Sequence, residues 1–421
     1  MKSNWNEVKI DDICSIRRGA SPRPIQKYIS ERGIPWVKIA DATSSNSRFI
    51  NETKEFIIEE GKEKSRYIEK GTLILSNSAT PGLPKFMNIN GCVHDGWLIL
   101  DGFKGVYDNF LYYNLIENRI KLLSLSNGSV FRNLKTDIVK NFNIKLPPLE
   151  EQKSIAKILS DLDEKIEVNN KINKNLEEMA QTIFKQWFVD FEFPNEEGKP
   201  YKSSGGEMVE SELGMIPKGW NISELGELYE VKGGKRLPKG HSLQDTKTKY
   251  PYIRVTDVAN GSIDKKSLKY ISEETREKID KYNINYSDLY ISIAGTVGIV
   301  GMINKSLDNA SLTENMAKIK VGNIDKYYLY LLLNSKQGQE TILSKVVGST
   351  QPKLPLYAIK SIKILKGDNR INKKFYDYVN SLFMTRENNL DINERLEKLR
   401  NTLLPKLMSG EIRVPLENSE D

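Results

Sequence analysis

Two histidines occur in the 421 residues, His94 and His241, so a Ser-His-Asp or Cys-His centre has to use one of them. His94 sits in CVHDGW and His241 follows RLPKG. Both read as ordinary structural or surface side chains. Cys14 and Cys92 are the only thiols and form no CxxC pair, which gives neither a disulfide framework nor a zinc site. Phosphate-cradling chemistry needs a Walker A loop, and none is present; the glycines of GTVG (295–298) and GGKRLPKG (233–240) read as tight turns. LPPL (146–149) lacks the Asn or Asp that an NPPY-type amino-methyltransferase loop places before its prolines. Glu59 and Glu60 have no nuclease-like spacing to a following lysine. No catalytic residue and no metal ligand is assigned, and the chain is expected to bind while catalysis is supplied elsewhere.

What remains is cation chemistry. Lys and Arg total 63 against 56 Asp and Glu, a mild excess of +7 that fits a polyanion partner without demanding one. Arg17, Arg18 and Arg23 line up loosely with Lys232, Lys235 and Arg236, with Lys239 close behind, in Gly/Pro-containing segments after strand-like runs. Such side chains hold phosphates or reach guanine edges. A second candidate set is GSVFRNLK (128–135) and GSTQPKLP (348–355), with Ser129, Arg132, Thr350, Gln351 and Lys353. The third is the small-residue loops around Ser76–Thr80 and Ser292–Thr296, with Ser76, Thr80 and Thr296, which permit close backbone approach. Solvated loop charge and buried strand turns are the competing readings.

These candidates occur twice because the chain repeats itself. IPWVKIADAT (34–43) matches YPYIRVTDVA (250–259), and ILSNSATPG (74–82) matches YISIAGTVG (290–298), both at a shift of 216. GSVFRNLKTDIVKNFNIKL (128–146) matches GSTQPKLPLYAIKSIKIL (348–365) at 220. GTLILSN and NFNIKL have strand composition, while 108–123 and 325–342 look helical. Each copy precedes a long run with apolar residues at steps of three and four. The first carries Ile155, Leu159, Leu162, Ile166, Leu176, Met179, Ile183 and Trp187; the second Phe375, Val379, Leu382, Leu396, Leu399, Leu403 and Leu407. Helices of about 55–60 Å cannot bury such stripes alone, so the two are expected to pair as a coiled coil. Asn169, Asn173, Arg386 and Asn389 either interrupt that seam or lie outside it. A Pro-, Gly-, Ser- and Glu-containing linker with little core separates the copies.

The string LPPLEEQKSIAKILSDLDEKIEVNNKINKNLEEMAQTIFKQWFVDFEFPNEEGKPYKSSGGEMVESELGMIPKGW (146–220) resembles the central region of type I restriction–modification specificity subunits, and LRNTLLPKLMSGEIRV (399–414) is a second likeness. The resemblance implies an α+β chain: two similar mixed α/β target-recognition domains separated by two long helices packed as an antiparallel coiled coil, a pseudo-two-fold internal repeat. The expected boundaries are 1–147 for the first domain, 148–193 for the first spacer helix and 194–217 for the linker. The second domain follows at 218–367, the second helix at 368–412 and the tail at 413–421. It implies a non-catalytic subunit that reads double-stranded DNA. Two methyltransferase subunits dock on the helices and restriction/translocase subunits join them; S-adenosylmethionine, ATP and magnesium serve those partners, and none is held by this chain. The second helix departs from the pattern: residues 365–372 read LKGDNRIN in place of a PPLEEQ lead-in, which leaves its start and phase open. A methyltransferase fused to its specificity region, or a coiled-coil scaffold for proteins alone, are the alternatives. No apolar run reaches the roughly 18 residues of a membrane span, and the chain is expected to be cytoplasmic.

Overall fold

The computed structural model describes residues 5–43, 47–125, 133–259 and 262–414. The chain divides into two compact units, Met1–Lys171 with Leu390–Asp421, and Ile172–Asn389, so that each unit owns half of each long helix.

The same elements follow one another in both units. An opening strand (Asn6–Lys9; Asn221–Glu224) pairs antiparallel with the strand that leads into a long helix (Asn143–Leu146; Lys363–Lys366). A four-residue helix then feeds a strand (Ser15–Arg18; Glu230–Gly233) that lies beside Trp97–Asp101 in the first unit and Met316–Lys320 in the second. Next to these run Leu73–Ser76 and Leu289–Ser292. The expected helical stretches form as pairs, Asp108–Glu117 with Arg119–Ser124, and Asn323–Asn334 with Lys336–Ser344. Asp41 and Asp257, aligned by the repeat, accept from the backbone N–H three residues earlier, at 2.7 Å from Lys38 and 2.8 Å from Arg254.

Alternation along the central strands puts one face on each of two cores. In the first unit Leu73, Leu75, Leu98 and Leu100 pack with Phe110, Leu111, Ile155 and Leu159, while Ile74, Trp97 and Ile99 face the opposite cluster. In the second, Leu289, Ile291, Ala317 and Ile319 pack with Leu329, Leu333, Phe184 and Phe375, and Tyr290 and Met316 face the other way.

The long helices run Leu149–Phe188 and Asn369–Ser409, 40 and 41 residues. Within the first unit, Asp163 meets Arg400 and Asn169 meets Asn393; within the second, Asn173 meets Asn389, Glu177 meets Arg386, and Trp187 meets Phe375 and Tyr378. One helix ascends as the other descends, so the pairing is antiparallel. Asn169, Asn173 and Arg386 are buried in the seam and Asn389 is half-buried at it, the first of the two readings left open.

Ile155, Leu159, Ile166, Trp187, Phe375, Val379 and Leu407 are buried, and Leu162, Leu176, Ile183, Leu382, Leu396 and Leu403 are half-buried. Met179 and Leu399 lie outside the seam, 52% and 46% exposed. Their neighbours Ala180 with Phe184, and Arg400 with Leu404, take the seam positions, because at 3.6 residues per turn an apolar stripe drifts against steps of three and four.

Two local expectations change. The second helix begins at Asn369, 220 residues after Leu149, so it keeps the phase of the first despite its different lead-in. The Gln152 amide of PPLEEQ is buried and satisfied by Tyr107 N at 2.8 Å, Gly105 O at 3.0 Å and Pro147 O at 2.8 Å; Asn372, its counterpart, keeps one bond to Asp325 at 3.3 Å. The linker holds more core than its composition suggests. Met208–Ser211 and Gly214–Pro217 form a hairpin, Ile216 is buried, and Phe193 stacks on Tyr201 and Trp220 with centroids 4.6 and 5.1 Å away. Among the described residues no helix is long and apolar enough to cross a membrane.

Candidate nucleic-acid interface

In each unit the central strands end in loops that converge, and the same backbone bonds knit them. In the first unit Gly19 N donates to Trp97 O at 2.8 Å and Ala20 N to Val93 O at 3.1 Å; Asn77 N donates to Gly96 O at 2.8 Å and Leu134 N to Asn77 O at 2.8 Å. In the second, Gly234 N donates to Met316 O at 2.7 Å and Lys235 N to Leu312 O at 2.9 Å; Ile293 N donates to Asn315 O at 2.8 Å and Leu354 N to Ile293 O at 2.9 Å. The three candidate sets therefore belong to one surface in the second unit, and the first and third sets do so in the first unit, where Leu134 is the described residue of the remaining loop.

Glycine makes the convergence possible. A Cβ on Gly19 would lie 2.2 Å from His94 O, and one on Gly234 would lie 2.1 Å from Thr313 O. The sequence reads GGKRLPKG as a tight turn, whereas Gly234 serves close approach between two backbones.

The cations split by position. Arg17, Arg18 and Lys232 stand on strands, not in the loops that follow, and Arg23, Lys235, Arg236 and Lys239 are loop residues. Ladder register equates Arg17 with Lys232, since they face Ile99 and Lys318, and Arg18 with Gly233; Lys235 and Arg236 then correspond to Ala20 and Ser21. The two units thus carry cations at different points of the same rim. Arg17 pairs with Asp101. Lys232 and Lys235 each lie 5.5 Å from the Tyr282 ring, a cation–π platform. Arg23, Lys235, Arg236 and Lys239 are exposed.

Thr350, Gln351 and Lys353 are exposed, and the Lys353 backbone is bonded both ways to Val347 at 2.8 and 2.9 Å. Thr296 is exposed and Thr80 half-buried. Ser76 is fully buried, with its hydroxyl spent on Thr80 O at 2.6 Å and Leu83 N at 2.8 Å, as Ser292 Oγ accepts from Ile299 N at 2.9 Å. Ser76 shapes its loop from within and offers nothing to a ligand. Ser129 and Arg132 lie outside the described residues.

Two acids that the sequence reading did not single out sit among these cations. Asp95 accepts from Ser21 Oγ at 2.6 Å and lies 3.7 Å from Arg23 and 4.0 Å from Arg18. The Ser21 bond, opposed by partial burial, holds its pKa below the usual carboxylate range. Glu314 accepts from Arg236 Nε and Thr313 Oγ1, both at 2.8 Å. Burial raises its pKa, but the bonds from Thr313 and Arg236 outweigh that and leave it lowered. The signal was available: a shift of 219 lays HDGW (94–97) on TENM (313–316), and Asp95 falls on Glu314. His94 is a support of this turn, its ring nitrogens 2.6 Å from Gly96 N and 3.3 Å from Ile39 N, and burial pushes its pKa down. His241 contacts Thr275 at 2.7 Å and Lys278 at 2.9 Å.

The twofold occurrence of the module is met again in comparison with known proteins. The model of the type I restriction modification DNA specificity domain matches residues 2–178 and again 217–398. The MjaIX type I restriction enzyme specificity subunit of Methanocaldococcus jannaschii is 30% identical over 98% of this chain and 94% of its own length. The HindI specificity subunit of Haemophilus influenzae is 23% identical over 97% of this chain and all of its own. A crystal structure of a type I restriction–modification S subunit from M. genitalium superposes with a TM-score of 0.52 at 17% identity, covering 96% of both chains, a likeness of fold.

Proposed function

This chain belongs to the type I restriction–modification DNA specificity domain family, and from that premise we propose that it is the sequence-specific DNA-recognition subunit of a type I restriction–modification complex. It reads an asymmetric bipartite target and positions methyltransferase and restriction subunits on it. The observation that carries this reading is the double occurrence of one loop-built rim with differently placed cations. Two copies of a reading surface call for two half-sites, and unlike cations call for unlike half-sites.

Arg17, Arg18, Arg23, Lys232, Lys235, Arg236 and Lys239, with Thr80, Thr296, Thr350, Gln351 and Lys353, are the proposed contact residues, and Ser129 and Arg132 are proposed from the sequence alone. The paired helices are the proposed docking strut for two methyltransferase subunits. The assembled complex methylates adenine and cleaves DNA, with S-adenosylmethionine, ATP and magnesium held by the partners. A cytoplasmic location follows from a DNA substrate.

Charge reversal at Arg17, Arg18, Lys235 and Arg236 is the test. Binding to duplex DNA weakens and its salt dependence becomes shallower, because a protein that neutralises fewer phosphates releases fewer counterions. Unchanged affinity and slope would remove these residues from the interface. Methyl transfer by the purified chain alone from labelled S-adenosylmethionine would favour a fused methyltransferase instead.

A further inference from the structure

A rim that only grips phosphate has no use for a carboxylate at its centre, yet both units hold one at the same node. Asp95 and Glu314 occupy the link between consecutive strands of two different sheets, Gly91–Val93 to Trp97–Asp101 in the first unit and Ala310–Leu312 to Met316–Lys320 in the second. Equivalent backbone bonds from Gly19 and Ala20, and from Gly234 and Lys235, bracket the two links. The surroundings otherwise differ. Asp95 is flanked by Ser21, Arg18 and Arg23, and Glu314 by Thr313 and Arg236. Both side chains stay partly open, 42% and 34% exposed.

We propose that Asp95 and Glu314 are specificity-determining residues, each accepting a hydrogen bond from the exocyclic amino group of one base in its half-site. The proposal rests on the reading that these rims face DNA. On mismatched DNA the acid keeps its arginines, which holds the arms off the phosphates and leaves the carboxylate repelling the backbone. On the cognate site the arginines move to phosphate or guanine, and the freed carboxylate needs a donor. In the major groove only cytosine N4 and adenine N6 supply one, and a base without that amino group leaves a desolvated carboxylate unpaired. Each acid thus couples the release of its cations to the identity of one base pair.

Asp95→Asn and Glu314→Gln keep size, remove the charge and put an amide donor in place of one acceptor oxygen, so the side chain also accommodates a carbonyl-bearing base edge. Each variant of the full chain, assembled with methyltransferase subunits, is used to select duplexes from a randomised pool, and selected and random duplexes are then titrated against salt. Affinity for random duplex rises, the selected-to-random ratio falls about tenfold or more, and base preference is lost at one position of one half-site. Asp95→Asn relaxes one half-site and Glu314→Gln the other. Asp95→Glu and Glu314→Asp, which retain the charge, keep the preference for an amino-bearing base at that position. Unchanged preference and ratio in the neutral variants, with melting curves like the parent's, overturns the proposal. Should charge reversal of Arg18 and Arg236 in the same assay also leave affinity unchanged, the rims are not the DNA face and the underlying reading fails with it.

Discussion

Replacing Asn393 by Ala tests the polar seam where its geometry is most demanding. Asn169 is 1% exposed and donates to Asn393 Oδ1 at 2.8 Å, and Asn393 Nδ2 donates to Asn170 Oδ1 at 2.8 Å. Truncation at 393 strands the Asn169 amide in a buried seam. Leaving a buried polar group unmatched costs about 1–3 kcal/mol, against about 1 kcal/mol net for a bond whose partners are both removed. Asn393→Ala and Asn169→Ala are each expected to destabilise the first unit by about 2 kcal/mol. The double Ala variant should cost about 1 kcal/mol less than the sum of the singles. The pair Asn169→Leu with Asn393→Leu should be neutral or stabilising, with looser register, because apolar residues fill a helix seam without fixing its phase. Hydrogen exchange of helix amides at 160–170 and 391–402 reads local opening without assuming that a two-unit chain unfolds in one step. Additivity of the two Ala changes within about 0.3 kcal/mol would show that the amides are not coupled and refute the reasoning.

Gly19→Ala and Gly234→Ala each press a methyl into a carbonyl that has no room to give, costing about 1–3 kcal/mol; a melting profile checks this, and an unshifted one contradicts the close-approach reading. Glu387 accepts from Tyr286 Oη and Lys305 N, both at 2.8 Å, clamping the second module to its helix; in the first, Glu167 accepts from Ser47 Oγ and Arg48 N, both at 3.2 Å. Glu387→Ala should therefore raise amide exchange at Lys305, and Glu387→Gln, which keeps an acceptor, should raise it less. Burial pulls the pKa of Lys326 down to about 8, with Glu387 opposing. An unfolded lysine titrates near 10.4, so the unfolded state binds this proton more tightly and stability rises with pH from about 8 to about 10.4, by up to about 3 kcal/mol. Lys326→Met should flatten that rise in denaturation midpoints measured between pH 8 and 10; an identical slope in parent and variant would discount Lys326 as its source.

Much of this architecture is written locally. The strand composition around Ile74, the helical rhythm from Ile155 to Trp187 and the match of Asp41 to Asp257 are one-dimensional signals, and they return as a strand, a helix seam and a shared turn. The duplication made rim residues findable in pairs. Three things were decided in space. The seam goes to Ala180 and Arg400 in place of Met179 and Leu399, because a one-position choice on a helix face depends on what packs opposite. Ser76 spends its hydroxyl inside its own turn, which its type cannot reveal. Asp95 and Glu314 join the cations only because Gly19 and Gly234 let two backbones touch, bringing together residues more than 70 positions apart in the chain. Residue type and period fix which face is apolar and which loops are charged; which charges meet is set by contacts that no local pattern encodes.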